Sequence, residues 1–186
     1  MKAIHPPEGK AGPGDLDAIG RALTDAGRYE EAAEAFTKAL ELDPDNPILL
    51  YNRGEARRRN GRLDEARFDL ESVLAIEGES ADLLLALGLV AYEADDWDLA
   101  TARYERALEI DSEAADAWND LGVVHFRRGS YAEARRAFER AVAINPKHGE
   151  AWFNLHDTYD ELGLAAEKRR AAEILRDLGV KGGEDD

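Results

Sequence analysis

ADAWNDLGVVHFRRGSYAEARRAFERAVAINPKH, residues Ala115–His148, is the stretch whose reading decides the fold. Trp118, Leu121, Gly122 and His125 recur at steps of three and four, which places them on one face of a helix. Gly129 interrupts that stripe. A second stripe runs through Tyr131, Ala134, Phe138, Ala141 and Ile144, and Pro146 marks its stop. The spacing predicts helix, tight turn, helix. Neither helix can bury its apolar stripe alone, so each needs neighbours.

The same pattern lies at regular steps on either side. Ala134 is in register with Ala100, Ala66 and Ala32, and Gly122 with Gly88, Gly54 and Gly20. Phe138 maps onto Tyr104, Leu70 and Phe36, and Trp118 onto Leu84, Leu50 and Leu16. Forward, Trp118 reaches Trp152 and Gly129 reaches Gly163. Trp118, Leu121 and Gly122 followed by Ala134, Phe138 and Pro146 form a W-x2-L-G, A-x3-F, Pro pattern. In these residues the chain resembles the tetratricopeptide repeat family. The resemblance covers residues 13–178. It implies an all-α, right-handed α-solenoid of stacked helix-turn-helix repeats, about five pairs of antiparallel helices, with turns near Gly27, Gly61, Asp95, Gly129 and Gly163.

The expected organisation is a disordered tail over 1–12 and repeats over 13–46, 47–80, 81–114, 115–148 and 149–178. The last repeat carries a degenerate capping helix, and an acidic disordered tail follows over 179–186. In that fifth repeat Trp152, Leu155 and Tyr159 face inward, while Lys168 and Ala172 fall where the family has a small residue and an aromatic. The capping helix offers Ala165, Ala172, Leu175 and Leu178 as its apolar side, with a charged outer face as repeat ends require.

Forty acidic against 24 basic residues give a net charge of −16. This argues against a nucleic-acid partner, since phosphate binding needs clustered Lys and Arg. The absence of cysteine excludes disulfides and thiolate metal sites. Met1 to Asp15 has no apolar core of a signal peptide, and the most apolar run, Leu83 to Tyr92, is too short to span a bilayer. A cytoplasmic protein with no membrane insertion is the expectation.

One residue breaks its column. Arg53 sits where the other repeats have Ile19, Leu87, Leu121 and Leu155. An unpaired guanidinium there is costly, and Asp69, one step before Leu70, is its natural partner. Snorkelling of Arg53 to water is the alternative. The resemblance adds a common repeat variant in which such a pair occurs.

Catalytic chemistry finds no carrier. There is no GxxxxGK[ST] loop, and no nucleophile with a base. The pairs Asp95-Asp96 and Asp160-Glu161 fall at helix ends, where solvated carboxylates are ordinary. Of His5, His125, His148 and His156, His125 takes the slot of an inward aromatic and is expected to pack in the core. His156 and Asp160 form an i, i+4 pair without a third ligand. No enzyme activity, cofactor or metal is expected.

The resemblance places function on the concave face lined by the first helices. Its columns read Asp17, Tyr51, Leu85, Asn119, Phe153; Arg21, Glu55, Leu89, Val123, Asp157; and Thr24, Arg58, Tyr92, Phe126, Asp160. Leu85, Leu89, Tyr92, Val123, Phe126 and Phe153 give this face an apolar centre, flanked by Arg58 and Arg59 and by Asp157, Asp160 and Glu161. Asn52 and Asn154 take the slot from which the family often holds a ligand's backbone. Asp17 and Asp82 stand where a clamp for a chaperone's C-terminal carboxylate needs lysine, so that ligand is not expected. The reading is a non-catalytic adaptor that binds a peptide or helix of a partner protein, as a monomer or weak homo-oligomer. The alternatives are a self-assembling structural protein or an accessory subunit of a larger complex.

Overall fold

A computed structural model describes residues 11–180, and among them there are ten helices and no strand. They are α1 Pro13–Asp25, α2 Tyr29–Leu40, α3 Pro47–Arg59, α4 Leu63–Glu77, α5 Ala81–Glu93, α6 Trp97–Ile110, α7 Ala115–Arg127, α8 Tyr131–Ile144, α9 Gly149–Glu161 and α10 Ala165–Asp177. The all-α helical-repeat architecture is the one expected. The tails expected at the two ends lie, but for residues 11–12 and 179–180, outside the described residues.

Helix starts follow local chemistry. The Asn46 side chain accepts from the backbone N–H of Ile48 at 3.0 Å and Leu49 at 3.2 Å, and Pro47 takes the first helical position. Ser80 and Asp96 cap α5 and α6 in the same way. Within repeats the chain reverses through a left-handed residue: Gly27 (φ 72°), Gly61 (76°), Asp95 (59°), Gly129 (72°) and Gly163 (69°). Aspartate tolerates this conformation better than most residues, which explains the single departure from glycine.

The chain divides into two compact units, Met1–Ala94 and Asp95–Asp186. In the first, α1 packs on α2, α3 on α2 and α4, and α5 on α4. Its core joins Leu23, Phe36, Leu40, Leu49, Leu70, Leu83 and Leu87, with Leu16, Ile19 and Tyr51 partly buried against it. In the second, α7 packs on α6 and α8, and α9 on α8 and α10. Phe138, Val142, Leu155 and Tyr159 form its centre, with Trp118, Val123, Phe126 and Trp152 partly buried around them. The glycine column allows this packing. A Cβ on Gly122 would lie 2.6 Å from the Phe138 ring, and one on Gly20 would lie 2.5 Å from that of Phe36.

Arg53 is paired. Its Nε donates to Asp69 Oδ2 at 2.9 Å and its Nη2 to Oδ1 at 2.7 Å, and Asp69 is fully buried. A second guanidinium, Arg57, reaches the same carboxylate at 2.6 Å and was not anticipated. Two inward assignments need correction. His125 is half-buried rather than a core residue, and burial lowers its pKa. On α10 the buried small residue is Ala171, one position before the expected Ala172, while Ala165 is exposed.

Candidate binding site on the first helices

The unit 1 face is carried by α1, α3 and α5. Leu85, Leu89 and Tyr92 on α5 are half-buried, as is Tyr51 on α3. Asn52 donates to Asp17 Oδ1 at 3.1 Å, linking α3 to α1. Arg58, expected as a cation flanking the apolar centre, is 12% exposed and tied to Glu55 at 3.0 Å and to Glu93. Arg59 lies over the Tyr29 ring, 5.8 Å from its centroid. A shallow pocket of about 400 Å³ opens beside Arg21, Thr24, Asn52 and Glu55.

The unit 2 face, on α7 and α9, repeats one device. Asn154 donates to Asn119 Oδ1 at 2.9 Å, as Asn52 on α3 does to Asp17 on α1. Both amides therefore tie successive first helices together, and one N–H of each is already engaged. Asn119, expected on the open face, is 5% exposed. The two tryptophans are also fixed alike: Trp118 Nε1 donates to Ser112 O at 2.9 Å and Trp152 Nε1 to Pro146 O at 3.0 Å.

The apolar centre is less open than its sequence column suggests. Phe126 stacks edge-on against Tyr131, with centroids 5.2 Å apart, and both it and Val123 lean on the core. Phe153 remains exposed, at 36%. His156 Nδ1–H donates to Asp157 Oδ1 at 2.9 Å, and Lys168 Nζ pairs with Asp160 at 2.9 Å. The His156–Asp160 pair is thus not formed. No group of three metal-ligating side chains occurs among the described residues.

A pocket of about 790 Å³ gathers much of this face. Asn119, Val123, Phe153 and Asn154 line it, together with Asp116, Asp120, His148, Gly149, Glu150 and Val180. The second group was not foreseen. Asp120 stands in register with Asn52 and Asn154, so the repeat period itself could have revealed it. Val180 arrives from the end of α10 and seats against Gly149, where a Cβ would lie 2.8 Å from its Cγ2. Burial pushes the Asp120 carboxyl up to about 6, and the neighbouring Asp116 and Glu150 charges add to the rise. A hydrogen bond from Asn119 at 3.4 Å opposes it.

His148 caps α9: its Nδ1 accepts from the Ala151 N–H at 3.2 Å. The ring proton of the neutral tautomer is therefore on Nε2. That atom lies 3.0 Å from Asp116 Oδ1, yet it is out of line for a hydrogen bond and is left buried without one. The side chain is 9% exposed.

A family model described as tetratricopeptide repeat matches residues 18–82, 85–149 and 127–178. The small glutamine-rich tetratricopeptide repeat-containing protein 2 of Mycosarcoma maydis is 46% identical over 46 residues. That match takes in 25% of this chain and 12% of the relative's length. Among solved structures, MamA superposes with a TM-score of 0.75 at 25% identity, over 87% of this chain and 94% of that one. The pilF protein of Pseudomonas aeruginosa gives 0.79 at 19% identity, over 94% and 78%. YrrB, described as a repeat protein with an unusual peptide-binding site, gives 0.66 at 24% identity, over 88% and 84%.

Proposed function

Because the chain belongs to the tetratricopeptide repeat family, we propose that it is a non-catalytic adaptor holding a peptide or helix of a partner protein on its first helices. A protein-interaction scaffold is the general role that the family and fold support. The finer reading concerns the faces themselves. In unit 1 it involves Tyr51, Asn52, Arg58, Leu85, Leu89 and Tyr92, and in unit 2 Asn119, Val123, Phe126, Phe153, Asn154 and Asp157. No helix among the described residues is long and apolar enough to cross a membrane.

The observation that carries the reading is the unit 2 pocket. It sets an exposed phenylalanine and a half-buried valine beside two side-chain amides, at positions the repeat register assigns to one face. A concavity that sets apolar anchors beside placed polar groups is what a ligand site needs. Selection of a random-peptide phage library on the full chain tests it. Enriched peptides should bind the wild type in calorimetry and lose at least about tenfold in affinity on Phe153→Asp, as anchor truncation does. Equal binding to the variant would move the site off this face.

Self-assembly is the second reading, favoured by Phe68 and Ile76, which α4 leaves 66% and 47% exposed. Sedimentation decides it: an oligomer that Phe68→Lys dissociates supports this reading, and a monomer at all concentrations removes it.

A further inference from the structure

The residue that precedes each first helix falls in one column of the repeat: Gly12, Asn46, Ser80, Ala114 and His148. Asn46 caps α3 with Oδ1 and gives its amide N–H to Asp43 at 2.8 Å, so both of its ends are used. His148 caps α9 with Nδ1, which fixes the ring proton on Nε2, and that donor is not used. The side chain is nine-tenths buried. A buried donor without an acceptor is costly and uncommon. Asp116 Oδ1 stands 3.0 Å from Nε2 but out of line with its N–H, and the Asp116 side chain is 86% exposed and able to turn into water.

The ring borders the unit 2 pocket. Asp120 of α7 lines the same pocket half-buried, and the hydrogen bond it takes from Asn119 is long, at 3.4 Å. Val123 and Phe153 add apolar wall. The pocket thus offers one unused donor, one poorly satisfied acceptor and an apolar approach to both.

We propose that this pocket receives the side-chain carboxamide of a glutamine or asparagine in the bound partner peptide. The inference rests on the adaptor reading above and names the chemistry of its ligand. The amide oxygen accepts from His148 Nε2–H once Asp116 turns aside, and the amide NH2 donates to Asp120, with the alkyl stem along Val123 and Phe153. An ammonium or guanidinium group has no acceptor for the histidine. A carboxylate has no donor for Asp120 and meets the charges of Asp116, Asp120 and Glu150. A hydroxyl offers both functions from a single oxygen, whereas a carboxamide sets them on separate atoms and carries no charge.

Peptides selected from the random library on the full chain, and dependent on Phe153, supply the test at neutral pH and physiological salt. They should share a glutamine or asparagine, and its exchange for Glu or Asp should weaken binding about tenfold or more. His148→Asn keeps the cap, as Asn46 does for α3, and removes the Nε2 donor, so it should cost about threefold to tenfold. Asp116→Ala removes only a competitor for that donor and should bind as well as the wild type or better. In the isotope-labelled wild type, the His148 Nε2 resonance should move when the carboxamide peptide binds and move little with its acid counterpart at equal saturation. Peptides that need Phe153 but bind His148→Asn unchanged, or an Asp116→Ala loss as large as that of His148→Asn, would overturn the carboxamide site. Peptides without glutamine or asparagine that still weaken on His148→Asn would overturn it too, giving the donor to a backbone carbonyl. All of these leave the adaptor reading standing. A library that yields no peptide dependent on Phe153 would remove both.

Discussion

Asp69 shows how one residue can carry a repeat. Its carboxylate is fully buried and takes hydrogen bonds from Arg53 at 2.7 and 2.9 Å and from Arg57 at 2.6 Å. Removing it strands the Arg53 guanidinium, 14% exposed, and leaves Arg57, 13% exposed, with Glu65 at 3.2 Å as its remaining carboxylate. Asp69→Ala should therefore cost ~3 kcal/mol in urea unfolding. A loss under ~0.5 kcal/mol, the ordinary surface value, would mean both arginines reach water unaided. Asp120 makes the opposite prediction. Its folded pKa, about 6, lies above the ordinary value of 3.8, so the folded protein holds this proton more tightly than the unfolded chain. Stability is therefore gained as pH falls from above 6 towards 3.8, and the cost of the charge is fully present at neutral pH. At ~1.36 kcal/mol per unit the shift sets a ceiling near ~3 kcal/mol, and partial solvation brings the expected gain from Asp120→Asn to ~1–2 kcal/mol. Well below pH 4 the two proteins should unfold alike. An equal difference at both pH values would show that ionisation of Asp120 is not its cause.

At the scale of helices, the glycine column tests how closely α7 meets α8. Gly122 faces the Phe138 ring at 2.6 Å from a would-be Cβ, and Phe138 is fully buried and cannot retreat. Gly54 faces the equally buried Leu70 side chain at 3.1 Å, a gap that a shift of a few tenths of an ångström opens. Gly122→Ala should thus destabilise by ~1–3 kcal/mol despite its better helix propensity, and Gly54→Ala should cost clearly less. Equal melting temperatures for the two variants would contradict this packing. The helices and their turns were legible in the sequence because one 3.6-residue pattern recurs in fixed register, as Gly122, Ala134 and Phe138 show. The binding face was legible only in part. Periodicity tells which side of α7 carries Val123 and Phe126, but not how far Tyr131 and the core cover them. Partners across helices are equally hidden. Arg58 is taken by Glu93, 35 residues away, and Asp157 by the adjacent His156. On α10, where the repeat pattern lapses, the inward position slipped by one residue to Ala171.

At the scale of the molecule, the surplus of sixteen negative charges leaves acids that no base can neutralise. Exposed ion pairs such as Arg67–Asp64 contribute little, so salt loses little by screening them and gains by screening the surplus repulsion. The melting temperature should rise from low to moderate NaCl, and a flat profile would show that the acids are balanced locally. The central claim is that a partner peptide lies on the first helices, and a nuclear magnetic resonance titration of the labelled full chain with a library-selected peptide tests it most directly. The account predicts shifts concentrated at Asn119, Val123, Phe153 and Asn154, including both side-chain amides. Shifts confined to α4 or α8, with these four unmoved, would contradict it.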